Sequence, residues 1–113
     1  MSKDFYSHSK RKAKYRGIPF ELTREELDQL MDDQNQRCAY TGDLIDAGGY
    51  KRYTASLDRI NSDKGYTLDN VQFVHKAVNY AKHSLTEDAF FSMVEKIYRH
   101  KVAYNGINPD EEV

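Results

Sequence analysis

The chain has 113 residues, 39% hydrophobic and 31% charged, with a formal net charge of -1; this fits one domain with a modest core and leaves little for a second. No apolar run is long enough to span a bilayer or to resemble a secretion signal, so no membrane partner is expected and the expected compartment is the cytoplasm. The single cysteine, Cys38, excludes an internal disulfide and an all-cysteine zinc site.

The charge is segregated. Residues 1–16 carry Lys3, Lys10, Arg11, Lys12, Lys14 and Arg16 against Asp4 alone, whereas Glu21 to Asp33 and Asp110-Glu111-Glu112 are acidic. Such a basic edge suits nucleic acid, with Lys10, Arg11, Lys12, Lys14 and Arg16 as candidate phosphate contacts. The alternative is a solvated basic arm. The organisation expected is a basic arm or helix over 1–16, one domain over 17–104 and an acidic tail over 105–113.

In chain order, residues 4–16 are expected to form a short helix stopped by Gly17 and Pro19. Thr23 and Glu26 make a capping box, Leu22 and Leu27 stand at staple positions, and Leu27, Leu30 and Met31 repeat at helical spacing, which places a helix at about 24–35. Cys38 to Gly42 reads as a turn and Asp46 to Gly49 as a loop. Tyr53 to Ile60 alternates and Val71 to Val74 is apolar, so the two segments read as a hairpin joined by the polar stretch Asn61 to Gly65. Val74, Ala77, Val78 and Ala81 recur at spacings of three and four, predicting a helix from His75 to His83 with those residues facing inward. Thr86 caps a last helix over 87–101, which is expected to bury Phe90, Phe91, Val94 and Ile97.

His75, Asn79 and His83 are four residues apart and share one helical face, with Lys82 beside them. Asn79 and His83 could grip one divalent ion, but neutral ligands alone hold a hard cation weakly. Asp58, at the end of the preceding strand, is the natural carboxylate. The competing view of the same stripe is a solvated polar face.

Ser56-Leu57-Asp58-Arg59-Ile60, Gly65-Tyr66-Thr67-Leu68-Asp69-Asn70-Val71-Gln72 and Val74-His75-Lys76-Ala77-Val78-Asn79-Tyr80-Ala81-Lys82 together resemble the HNH (ββα-metal) endonuclease family, in particular its small, often phage-encoded members. Upstream, Arg16 to Thr23 and Arg37 to Gly42 are similar to the usual lead-in, so the resemblance covers roughly residues 10–95. It implies an α+β fold with a ββα-metal hairpin–helix core and flanking helices, in the cytoplasm of a bacterial or phage-infected cell. It also implies metal-dependent hydrolysis of DNA phosphodiester bonds with Mg2+, or Mn2+. On the matching positions, Asp58 and Asn79 would be metal ligands, His83 a further ligand, Asn70 the residue that pins the hairpin loop, and Lys76 and Lys82 contacts to backbone phosphate.

Two departures bear on mechanism. Where the family commonly has an Asp-His pair with the histidine as general base, this chain has Arg59. A guanidinium has no acceptor lone pair and stays protonated, so Arg59 would clamp the scissile phosphate or pair with Asp58 or Asp69. The base would then be His75, unless metal-bound hydroxide serves or His75 merely caps the hairpin. The second departure is that the usual Cys-x-x-Cys knuckles are replaced by Cys38 and Thr41, and by His75 and Val78, so no complete zinc knuckle and no structural zinc are expected; Cys38 should be a small buried hydrophobe.

The rival reading is a non-catalytic HNH-like module that binds DNA or protein, such as a phage-encoded inhibitor. Arg59 and the near-neutral net charge favour it. The sequence also allows a homodimer through the 87–101 helix.

Overall fold

A computed structural model describes residues 1–48 and 53–103. The fold is mixed α+β, with four α-helices and one two-stranded antiparallel sheet among the described residues. The chain divides into two compact units, Met1–His83 and Ser84–Val113. Residues 49–52, which include the last glycine of the expected 46–49 loop, and the acidic tail lie outside the described residues.

Helix α1 spans Lys3–Tyr15 and α2 spans Arg24–Asp33. Ser2 Oγ caps α1 by accepting from the Phe5 N–H at 3.1 Å, and Gly17, at φ 69, follows its end in a conformation that glycine adopts without strain. The first helix is not a free arm. Phe5 and Ala13 are buried, and the Phe5 ring lies 4.9 Å from that of Tyr53 and 5.9 Å from that of Phe73. Thr23 and Glu26 form the capping box of α2 in both directions, and Leu22 and Leu27 are buried at its entry.

Strands β1 (Ala55–Arg59) and β2 (Val71–His75) pair antiparallel with Leu57 opposite Phe73 and Asp58 opposite Gln72. Side chains alternate across a strand. Ala55, Leu57, Val71 and Phe73 therefore share one face, and all four join the core with Phe5, Leu22, Leu27 and Met31. Ser56, Asp58, Gln72 and Val74 share the other face. Asn70 closes the connection between the strands: its Oδ1 accepts from Asn61 N–H at 2.9 Å, and its Nδ2 donates to Gly65 O at 2.9 Å and Asn61 O at 3.1 Å. This is the loop-pinning geometry expected of that residue.

Helix α3 (Lys76–Lys82) follows β2 directly and is capped by His75. Its orientation differs from the one periodicity predicts. Ala77 and Ala81 are exposed, whereas Lys82 is fully buried and Asn79 half-buried. The physical reason lies in the strand face that α3 covers, since Ser56, Asp58 and Gln72 are polar and are matched by polar partners rather than by alanines.

Cys38, Thr41 and His75 meet at one sulfur. Cys38 is buried, and its Sγ accepts the N–H of Thr41 at 3.4 Å and of His75 at 3.3 Å. Cys38 is thus a hydrogen-bond acceptor as well as a packed side chain.

In the second unit, α4 (Glu87–Ile97) is capped by Thr86 and continues as a π-helical segment, Tyr98–Ala103. Of the four apolar residues expected inside, only Phe90 is buried; Phe91, Val94 and Ile97 are exposed. Among the described residues this unit has no second element to cover the stripe.

Candidate functional site

The polar face of the hairpin and the facing side of α3 bring Asp58, Gln72, Asn79, Ser56 and Lys82 together. Asp58 is the next-to-last residue of β1, whose Ala55 and Leu57 face the core, and the period-two alternation turns its carboxylate toward α3. Lys82 Nζ donates to both Asp58 oxygens, at 2.9 and 3.1 Å, and to the carbonyl of Arg59 at 2.9 Å. Gln72 Nε2 adds a fourth bond, to Asp58 Oδ2 at 3.0 Å. Three acceptors satisfy the three ammonium protons, so a charge pair at 0% and 3% side-chain exposure leaves no donor of Lys82 unmade.

This arrangement corrects the expectation for Lys82. A side chain with no exposed surface does not reach a backbone phosphate, and its cation is spent on Asp58. Asn79 lies beside the pair, with Nδ2 donating to Ser56 Oγ at 2.6 Å and to Leu57 O at 3.4 Å. Its Oδ1 receives no hydrogen bond among the described residues.

His83 sits at the exposed C-cap of α3 with φ 50 and is not among the partners of Asp58. Among the described residues no three His, Cys, Asp or Glu side chains gather as a metal-holding group. The ligand chemistry of Asp58 and Asn79, one carboxylate and one amide oxygen, suits a hard divalent cation with water completing the shell.

Arg59 Nη1 donates to Ser62 O at 2.8 Å and Lys64 O at 2.9 Å, and the guanidinium lies 5.3 Å from the centre of the Tyr66 ring. Arg59 thus takes loop carbonyls and an aromatic face rather than Asp58 or Asp69, the carboxylates that were the alternative to a phosphate clamp. His75 Nδ1 accepts from Ala77 N–H at 3.0 Å. That lone pair is therefore committed to the cap, and a neutral imidazole carries its proton on Nε2, the form of a donor rather than of a base.

Between α1 and the start of β1 and α3 lies a groove of about 270 Å3. Lys12, Arg16 and Lys76 bring positive charge to it, and Ser9, Ser56 and Asn79 bring neutral polar groups; no carboxylate lines it. Tyr53 forms part of its wall. Burial, and secondarily the charge of Asp4, push the Tyr53 hydroxyl above its usual range, so it remains a protonated donor at neutral pH. The structure therefore separates the basic residues. Lys12, Arg16 and Lys76 line the groove, Lys10 lies over the Tyr6 ring at 5.9 Å, and Arg11 and Lys14 are exposed outside the groove lining.

No protein-family model matches the chain, and no solved structure matches it. A similar protein is the uncharacterized protein R423 of Acanthamoeba polyphaga mimivirus, 29% identical over 114 aligned residues. The alignment covers 96% of this chain and 20% of that protein, so the chain spans about a fifth of the length of the curated relative it matches. Among the described residues no helix is long and apolar enough to cross a membrane.

Sequence reasoning missed two members of the polar cluster. Ser56 anchors Asn79, and Gln72 holds Asp58. The signal for Gln72 was available in the hairpin register, since pairing the two strands around their hydrophobic residues sets it opposite Asp58.

Proposed function

We propose that this chain is a DNA endonuclease of the HNH type that hydrolyses phosphodiester bonds with a divalent metal ion, Mg2+ or Mn2+. The observation that carries this reading is the position of Asn79. It lines the carboxylate-free basic groove and at the same time bonds to the strand that holds Asp58. A backbone phosphate drawn to Lys12, Arg16 and Lys76 would therefore lie next to Asn79, one of the two candidate ligands, with the other, Asp58, buried on the neighbouring strand.

Asp58 and Asn79 would hold the cation, which when bound supplies positive charge at the phosphate being cleaved and activates water. Lys12, Arg16 and Lys76 position the backbone by charge, without reading sequence. Arg59 acts on this geometry indirectly, by fixing the loop after β1. His75, whose Nδ1 caps α3, would keep Nε2–H as its donor, and a role as base requires it to give up the helix cap.

The second reading is a non-catalytic DNA- or protein-binding module of the same type, favoured by the buried ion pair of Asp58 with Lys82. Supercoiled plasmid incubated with the protein and Mg2+ or Mn2+ separates the two. The nuclease reading expects nicking that EDTA and Asp58→Ala both abolish. Nicking that survives Asp58→Ala removes the proposed site, and inactivity across metals with intact DNA binding selects the module.

A further inference from the structure

The internal cation on Asp58 has a direct consequence for metal binding. Lys82 Nζ is 2.9 Å and 3.1 Å from the two carboxylate oxygens and has its remaining donor on Arg59 O at 2.9 Å. A divalent ion bound to the same carboxylate would sit within a few ångströms of that ammonium, in a site from which solvent is excluded. Repulsion between like charges at about 4 Å is worth several kcal/mol at the effective dielectric of a protein interior, so the two cations do not share Asp58.

We propose that Lys82 is a competitive internal cation: it occupies Asp58 in the free protein, and a divalent metal ion binds there only as Lys82 leaves. The inference deepens the nuclease reading and rests on Asp58 being a metal ligand. Its physical basis is the complete satisfaction of Lys82, since a lysine with three acceptors and no exposed surface is a held group and not a flexible side chain passing through the site. The same contacts keep the uncomplexed hairpin and helix together, because the pair neutralises a carboxylate that burial would otherwise penalise.

The test is Mn2+ binding followed by electron paramagnetic resonance, which needs no turnover. Wild-type protein, Asp58→Asn, Lys82→Met and the double variant Asp58→Asn/Lys82→Met are titrated without DNA. The expected result is weak binding to the wild type, one Mn2+ held at least about tenfold more tightly by Lys82→Met, and loss of that site in the double variant. Equal, Asp58-dependent binding by wild type and Lys82→Met overturns the competition and leaves the metal reading standing. Absence of Asp58-dependent binding in both overturns the metal reading, and the competition with it.

Lys82→Met removes the partner of a buried carboxylate and is the variant most at risk of unfolding. The wild type therefore supplies a second readout. The buried Lys82 ammonium gives a side-chain 15N resonance that should shift or vanish saturably as Mg2+ is added. Saturable Mg2+ binding at Asp58, seen in the Asp58 carboxyl resonance, with the Lys82 signal unmoved would overturn the proposal without any variant.

Discussion

The side chain of Gln34 pairs with both backbone polar groups of Phe73, accepting its N–H at 2.8 Å and donating to its carbonyl at 2.9 Å. The amide thereby does for the outer edge of β2 what a third strand would do, at one residue. Ala39 N–H also donates to the Phe73 carbonyl, at 3.0 Å, so of the two Phe73 groups only the N–H is orphaned when Gln34 is removed; the Arg37 carbonyl, which Gln34 Nε2 also meets at 2.9 Å, is open to solvent. An unsatisfied buried donor costs about 1–3 kcal/mol. Gln34→Ala should therefore destabilise the first unit by that amount in urea unfolding, with little change in the slope of the transition. A loss of only a few tenths would mean that water reaches Phe73.

Asn70 and Gly65 together set the shape of the hairpin connection, and both should prove sensitive to small changes. Asn70 is buried with three hydrogen bonds to Asn61 and Gly65. Asn70→Asp keeps the size but turns two donated bonds into carbonyl–carboxylate contacts, so it should be at least as damaging as Asn70→Ala, at about 2–3 kcal/mol. At Gly65 a Cβ would meet the Pro19 carbonyl oxygen at 2.9 Å. Gly65→Ala should separate the Tyr66 N–H from Pro19 O, now bonded at 2.9 Å, and open the 61–65 loop to proteolysis. Equal protease resistance in wild type and Gly65→Ala would remove this account of the glycine.

Much of this was legible beforehand because it depends on local rules. The capping box at Thr23 and Glu26, the two hairpin strands and the loop-pinning Asn70 each follow from a few neighbouring residue types, by spacing or by resemblance, and the structure has all three. What was not legible depends on a partner far away in sequence. Lys82 reads as a surface cation on any helical wheel, and only Asp58, 24 positions earlier, makes burial its better state. In the same way, Arg59 was read for its charge, while the structure uses its hydrogen-bond donors on loop carbonyls. The stripe on α4 was visible as a pattern, but a pattern does not say whether anything in the same unit covers it.

The proposed binding of DNA makes a graded prediction at the groove. Each phosphate contact removed lowers the slope of log K against log salt by about 0.9 on duplex DNA. Lys12→Ala, Arg16→Ala and Lys76→Ala should each show a decrease of that order when binding to a labelled duplex is measured by fluorescence anisotropy across a salt series. Lys14→Ala carries the same charge change outside the groove lining and should change the slope less. If Lys14 and Lys76 prove equivalent, binding follows overall charge and the groove has no special part in it.

Cys38 carries a pH dependence of defined sign. Burial pushes its thiol pKa up, but the hydrogen bonds it receives from the side chain and backbone of Thr41 and from the backbone of His75 and Tyr40 outweigh burial and hold it below the usual range. The folded chain then loses the thiol proton at lower pH than the unfolded chain does. In the interval between the two values the unfolded state binds more protons, so stability rises with pH; the contribution is complete above the ordinary thiol value, about pH 8.5, and is lost as pH falls through the folded value. Urea unfolding of wild type and Cys38→Ser over pH 6 to 9 should show the wild type gaining relative to the serine variant as pH rises, because serine keeps an acceptor for Thr41 and His75 but does not titrate. Parallel curves would show that the thiol stays protonated across the range, with desolvation prevailing over the four hydrogen-bond contributions. Below the folded thiol value, where the proton is held in both states, the same comparison isolates the packing of sulfur against oxygen.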